Sequence, residues 1–385
     1  MIKGTFPIDK FDGLRTPFYY YDCDVIRKTV EELRRWSQQP IYHIHYAVKA
    51  NANNRILKFL SSKGLGADCV SGGEIEAAIN AGFKPSEIVF AGVGKADWEI
   101  ELALEKGIFC FNVESLPELE VINTLAAKHN KKAPVAIRVN PDVDAHTHSY
   151  ITTGLKENKF GFNLSQIDEA IAFIQQSENL QLIGLHFHIG SQITDMTVFQ
   201  HLCISINEIQ ESLAQKGVTV EHINVGGGLG INYHHPNHIP IADFEGYFKV
   251  FGLYLKLRPE QQVHFELGRA VVAQCGSLIT EVLYVKQGET KRFVITDAGM
   301  TELIRPALYD AYHHIENISS EAEIELYDVA GPICESSDVF GKDVLLNRTN
   351  RGDKLAIRSA GAYGEVMASR YNLRQLPYAV FSDDL

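Results

Sequence analysis

The segment IYHIHYAVKAN, residues 41 to 51, decides the fold. Its first eight residues mix β-branched and aromatic side chains in a strand-like run, and a helical pattern follows within a few residues. Reading outward, seven more short runs share this texture: GADCV (66–70), IVFA (88–91), IFCFNV (108–113), PVAIRV (134–139), LIGLHFHI (182–189), VEHINVG (220–226) and VHFEL (263–267). Between them lie GEIEAAINAG, KADWEIELALEKG, SLPELEVINTLAAKHN and SQIDEAIAFIQQ, with apolar residues three and four apart and Gly or Asn near several ends. Strands that each feed a helix call for parallel pairing with right-handed crossovers. The expected fold is α/β, a closed (β/α)8 TIM-type barrel over residues 24–270. An open doubly wound sheet is the alternative, weakened because no GxGxxG follows the first strand.

After Arg269 the texture changes. SLITEVLYVKQ, KRFVITDAG, IELYDVAG and DKLAIRSAG read as strands separated by turn signals. FYYYD, residues 18–22, is a strand too early for the barrel and is expected to join that later sheet. A second, smaller all-β domain is therefore expected from residues 1–23 and 271–385. No low-complexity linker interrupts the chain.

Hydrophobic residues make up 45% of the 385 and charged residues 22%, as in packed soluble proteins. Lys and Arg number 36 against 48 Asp and Glu, a net charge of -12, which argues against nucleic acid and anionic membranes as partners and for small molecules. No apolar run is long enough to span a bilayer and the N-terminus lacks a signal-peptide core, so the cytoplasm is the expected compartment. Cys23, Cys69, Cys110, Cys203, Cys275 and Cys334 form no CxxC pair. Neither disulfides nor a structural zinc site are expected.

In such barrels, functional residues sit at the C-terminal ends of strands. Lys49 follows the first strand, sharing a period-two face with His43, His45 and Ala47; it reads as an imine-forming amine or as a snorkelling surface lysine. GGGLG (226–230) follows the seventh strand, where barrels commonly hold phosphate, although a plain glycine turn has the same sequence. HFHIGSQ (186–192) puts His186 and His188 on one face, as metal ligands, ring-stacking groups or core residues, with Ser191 just beyond. Glu266 and Arg269 close the eighth strand, as site groups or as a structural ion pair.

Together these supply an amine, an anion cradle, an imidazole to cover a ring and a carboxylate to keep a pyridine nitrogen protonated, which is the set that pyridoxal phosphate requires. At this point the sequence resembles the fold type III pyridoxal phosphate-dependent decarboxylases, and within them the diaminopimelate decarboxylase family. The resemblance runs from about Thr16 to Tyr371 and is carried by YAVKAN, ADCVSGGE, RVNPDVDAHTHSYITTG with KFGF after it, GLHFHIGSQ, GGGLGI, ELGRAVVA, MTELIRPALYDAYH, GPICESSDVF and GAYGEVMASRYN.

The resemblance implies decarboxylation of meso-diaminopimelate to lysine with pyridoxal 5'-phosphate, by a cytoplasmic homodimer whose sites are shared between subunits. It makes Lys49 the cofactor's amine partner, His188 the stacking ring and Glu266 the partner of the pyridine nitrogen. Ser191, Gly226, Gly227, Gly228, the backbone around Gly268 from Leu267 to Arg269, and Tyr363 would hold the phosphate. Arg269, Arg305 and Tyr309 would meet the substrate's distal carboxylate and Glu335 its distal amine, with Tyr363 also in contact with the substrate. Cys334 would donate the proton from the second subunit. Two positions depart from the family pattern: Leu267 stands where Pro is usual, and Asn158 where Ser is common.

Three rival readings are weighed. A decarboxylase for carboxynorspermidine, ornithine or arginine would not need Arg305 together with Glu335, because those substrates lack a distal amino acid group. A non-catalytic cofactor binder would not need Lys49 and Cys334. A metal-dependent barrel hydrolase would place its ligands at the strand's end, whereas HIH (43–45) precedes it.

Overall fold

The structure is a computed structural model that describes residues 6–141 and 159–385. Asn158 and the segment AHTHSYITTG (145–154) lie outside the described residues. The chain divides into two compact units: one comprises Glu32–Gly230 and Asp243–Gly268, the other Met1–Glu31, Ile231–Ala242 and Arg269–Leu385.

The chain enters through β1 (Phe18–Tyr21) and α1 (Cys23–Trp36). The first-named unit is then a closed parallel barrel of β2 (Tyr42–Ala47), β3 (Gly66–Cys69), β4 (Ile88–Phe90), β5 (Cys110–Val113), β6 (Ala133–Arg138), β7 (Leu180–His186), β8 (His222–Asn224) and β9 (Gln262–Leu267). The crossover helices are α2 (Asn54–Ser62), α3 (Gly72–Asn80), α4 (Asp97–Lys106), α5 (Leu116–Lys128), α6 (Ile167–Gln176), α7 (Met196–Gln215) and α8 (Phe244–Tyr254). Local signals start and stop them: the Ser71 and Ser115 side chains accept the Glu74 and Glu118 amides at the heads of α3 and α5, and α4 ends on left-handed Gly107. Behind β9, Phe265 packs edge-on against Phe248 and Phe251 of α8, which ties that helix to the wall.

The barrel interior is unusually polar toward one end. Glu87 O can only accept a hydrogen bond, so His45 Nδ1 donates to it at 3.1 Å and His45 Nε2 must accept. Its donor is His264 Nδ1 at 2.8 Å, and His264 Nε2 accepts in turn from His222 Nδ1 at 2.9 Å. Gly66 makes room for this chain: a Cβ there would lie 2.6 Å from His45 Nδ1. With HIH (43–45) engaged in this way, no cluster suited to a metal ion occurs among the described residues.

The other unit is a mixed eight-stranded sheet. Its path runs β12 (Ile315–Asn317), β15 (Lys354–Ile357), β10 (Gly276–Gln287), β11 (Arg292–Thr296), β13 (Ile324–Ala330) and β14 (Val339–Asn347). As expected from FYYYD, β1 joins it, antiparallel to β10 and parallel to β16 (Tyr378–Phe381). Phe11, Phe18, Tyr20, Ile279, Ile318, Ala356 and Val380 form its core. Two short helices, α9 (Arg269–Val272) and α10 (Arg305–Tyr309), complete the unit. No helix among the described residues is long and apolar enough to cross a membrane.

The sequence reading assigned residues 24–270 to the barrel without interruption, whereas the compact barrel unit starts at Glu32, ends at Gly268 and is interrupted once. Ile231–Ala242 belongs with the sheet unit. Asn237 bonds Glu316 and Arg358, each at 2.6 Å, and Gln274 reaches Ile239 O.

Candidate active site

Lys49 lies in the turn Val48–Ala50, just past the end of β2, rather than on the strand itself. Its Nζ is 3.3 Å from Asp68 Oδ2 at the end of β3, whose register pairs Ala47 with Asp68. Asp68 is fully buried, and its Oδ1 has no hydrogen-bond partner among the described residues. Burial and the nearby Glu266 carboxylate push its pKa up, and Lys49 offsets part of this.

Glu266 is the penultimate residue of β9 and is buried among donors. Its Oε1 accepts from Asn112 Nδ2 at 3.0 Å and Asn224 Nδ2 at 2.7 Å, and its Oε2 lies 3.0 Å from His186 Nε2. Burial opposes ionisation, but His186 and Lys49 win and hold the carboxyl well below the usual carboxylate range. β7 pairs His186 with Asn224 and β9 pairs His264 with Asn224, so Glu266 stands two residues further along β9.

His188 departs from the sequence reading. The strand ends at His186, because Phe187 N makes the last bond to β8, at Asn224 O, and the chain then turns at Gly190. His188 therefore does not share a strand face with His186. Burial, Lys49 and Arg138 all push its pKa well below that of a free imidazole, so the ring is neutral at physiological pH. Gly227 N donates to its Nδ1 at 3.3 Å, which leaves the proton on Nε2. Arg138 is fixed by Glu114 at 2.9 Å, and Glu114 also gathers the amides of Gly92 and Gly161.

The glycine run after β8 is a place of close backbone approach. A Cβ at Gly226 would lie 2.1 Å from Phe187 O, and one at Gly227 would lie 1.9 Å from Glu266 O. Gly228 sits at φ 103°. No other residue fits this run. The Gly226 amide is held by Asn224 Oδ1 at 2.9 Å, so that N–H serves the loop itself. Ser191 lies in the loop between β7 and α7, and Gly268 packs its Cα side against Ala47 and Ala50. Leu267 is buried at the end of β9.

The sheet unit holds the remaining candidates. Arg269 opens α9 and Arg305 opens α10; both are buried, and each donates through Nη1 to the Tyr233 hydroxyl, at 2.6 Å and 3.0 Å. Pro306 stands in the first turn of α10 and Tyr309 at its end, one turn from Arg305, near enough to Arg269 to help raise its pKa. Tyr363 has φ 57°, a left-handed conformation that costs a non-glycine residue about 1–3 kcal/mol, and its ring lies 4.8 Å from the Arg269 guanidinium carbon. Such strain concentrates at functional positions.

Cys334 is exposed, whereas the other five cysteines are buried. Glu335 accepts the Tyr371 hydroxyl at 2.7 Å. Their loop hangs on Asp338, a buried carboxylate that accepts the amides of Ile333 at 2.7 Å and Met300 at 2.6 Å. Sequence reasoning did not single out Asp68, Asn112, Asn224, Tyr233, His313 or Asp338 as site residues. Only Asn224 carried a local signal, since it stands two residues before the glycine run.

The barrel's donor set fits a pyridoxal group. It offers an amine next to a buried carboxylate, a second carboxylate kept ionised, a neutral ring and a glycine run that admits no side chain. Comparison with known proteins agrees. Residues 26–273 match the family described as pyridoxal-dependent decarboxylase, pyridoxal binding domain. A diaminopimelate decarboxylase of Bacteroides thetaiotaomicron is 63% identical over 385 residues, covering the whole of both chains. One from Neisseria meningitidis serogroup B is 44% identical over 97% of this chain and 89% of its own. The crystal structure of the Helicobacter pylori diaminopimelate decarboxylase complexed with L-lysine superposes with a TM-score of 0.92 at 42% identity, covering 98% of this chain and 94% of the other. Fold, donor set and full-length similarity converge: the chain belongs to the pyridoxal-dependent decarboxylases and, within them, to the diaminopimelate decarboxylase family.

Proposed function

We propose that the protein uses pyridoxal 5'-phosphate to convert meso-2,6-diaminopimelate to L-lysine and carbon dioxide, the last step of lysine biosynthesis. The observation that carries the cofactor reading is Glu266, a buried carboxylate held ionised by His186, Asn112 and Asn224 on the same barrel as Lys49. When bound, pyridoxal phosphate supplies a conjugated electron sink for the pair released as a carboxylate leaves.

The chain's residues do the rest. Lys49 provides the amine that holds the cofactor and yields it to the substrate amine, and Asp68 steadies that amine. Glu266 keeps a proton on the pyridine nitrogen, because an ionised carboxylate beside a ring nitrogen favours the protonated ring. His188, kept neutral, would contact the ring without adding charge to it. Ser191, the glycines 226–228, the Leu267–Arg269 backbone and Tyr363 are assigned to the phosphate.

Substrate reading falls to the sheet unit's residues. Arg269, Arg305, Tyr309 and Tyr363 are assigned to the distal carboxylate and Glu335 to the distal ammonium, a guanidinium-and-carboxylate combination that suits an amino acid end. Cys334 is assigned the protonation of Cα. An exposed thiol suits service to a second copy of the chain, so the working form is proposed to be a cytoplasmic homodimer with shared sites. The assay is lysine release from meso-diaminopimelate compared with turnover of carboxynorspermidine and ornithine. Preference for either of the latter would defeat the substrate assignment.

A further inference from the structure

Arg269 and Arg305 are like charges, both buried, and both donate to one oxygen. The Tyr233 hydroxyl receives Arg269 Nη1 at 2.6 Å and Arg305 Nη1 at 3.0 Å. A phenol oxygen has two acceptor sites, and here the two guanidiniums take both. Burial raises the pKa of Tyr233, but Arg269 and Arg305 together overcome this and lower it.

A second residue fixes Arg305. His313 Nδ1 faces Arg358 O at 2.8 Å, and because a carbonyl only accepts, Nδ1 carries the proton and Nε2 is an acceptor. Arg305 Nη1 donates to that Nε2 at 2.9 Å. The His313 ring also meets the Tyr233 ring edge-on, with centroids 5.3 Å apart. Burial and the neighbouring Arg305 push the His313 pKa down to about 3, so it stays a neutral acceptor. Both hydrogen bonds that Arg305 makes among the described residues use Nη1, so neither occupies Nη2 or Nε. Tyr233, Arg269, Arg305 and His313 are at most 7% exposed.

We infer that Tyr233, backed by His313, is the positioning residue that holds Arg269 and Arg305 as one carboxylate-reading pair. This rests on the reading that the two arginines meet the substrate's distal carboxylate. Without the phenol oxygen the two cations repel each other and lose a shared anchor. The geometry also accounts for Ile231–Ala242, the segment that leaves the barrel unit: it delivers Tyr233 to the arginines.

Ligands that differ at one group test the inference. L-lysine keeps the distal carboxylate, whereas cadaverine has the same carbon chain without it. In holoenzyme carrying Tyr233→Phe, the KM for meso-diaminopimelate and the inhibition constant of L-lysine should both rise, by roughly ten- to a hundredfold. The inhibition constant of cadaverine and kcat should change far less. His313→Leu should weaken L-lysine binding in the same selective way, and His313→Gln, which keeps an acceptor, should restore it. Circular dichroism and cofactor absorbance establish that each variant is folded; if Tyr233→Phe is not, the His313 pair carries the test. Unchanged L-lysine binding in folded variants, or equal weakening of L-lysine and cadaverine, overturns the inference. A wild-type enzyme that releases no lysine from diaminopimelate defeats the proposed function instead, which separates the two failures.

Discussion

His186 Nε2 lies 3.0 Å from Glu266 Oε2, and both side chains are buried at the ends of their strands. A carboxylate in such a place would ordinarily take up a proton. The His186 imidazole and Lys49 together reverse that tendency.

Glu266→Gln should therefore lower kcat by about a hundredfold or more while the barrel stays folded, because the amide supplies no negative charge to the ring nitrogen. His186→Ala should give a smaller loss in the same direction. Steady-state lysine release, with cofactor content measured in parallel, checks both. An active Glu266→Gln variant at full cofactor content would remove the carboxylate from its role.

The histidine chain in the barrel predicts an acid-sensitive fold. Burial lowers the His45 pKa from 6.5 to about 4, and it also holds His264 well below the ordinary imidazole value. These rings are neutral when folded but take up protons near pH 6.5 when unfolded. Their contribution is complete above that pH and is lost as pH falls toward 4, by roughly 3 kcal/mol for His45 alone. Thermal melts across this window should show the decline, and His45→Gln should flatten it. A melting temperature independent of pH there would contradict the tautomer chain.

Arg305→Ala and Glu335→Gln should each raise the KM for diaminopimelate by roughly ten- to a hundredfold, the value of one lost charge-assisted contact. Cofactor affinity should hold. Spectrophotometric titration with pyridoxal phosphate, run beside the kinetics, distinguishes the two effects.

Lys49→Ala and Cys334→Ala chains should each be impaired as homodimers and complement each other when mixed. A mixed dimer contains one site with wild-type Lys49 and wild-type Cys334 if the thiol serves the partner's site. The activity of reassociated mixtures is compared with the sum of the separate controls, since water can replace a thiol slowly. Heterodimers without a gain would place Cys334 in its own chain's site or outside the reaction.

Much of this was legible in the sequence. The alternation of short strands and helical patterns from Ile41 to Leu267 follows from local side-chain periodicity, and Lys49 and Glu266 could be found because barrel chemistry gathers at strand ends. Other features depend on distant partners. INYHHPNHIPIA (231–242) reads as an ordinary barrel loop until Asn237 is seen on Glu316 and Arg358. LIGLHFHI reads as one strand through Ile189, but the ladder stops where β8 runs out of residues to pair. A lone asparagine such as Asn112, or a tyrosine such as Tyr233, has no type-specific signature. Its role is set by which buried charge it meets.

The central claim is that Lys49 holds the cofactor with which this chain decarboxylates diaminopimelate. The most direct measurement is borohydride reduction of the purified holoenzyme, followed by peptide mass spectrometry, with lysine release from meso-diaminopimelate assayed before and after reduction. The account predicts lysine and carbon dioxide in equal amounts beforehand, loss of activity on reduction, and a pyridoxyl group on Lys49. Cofactor fixed at a different lysine, or a fully labelled enzyme that still turns over diaminopimelate, would contradict it.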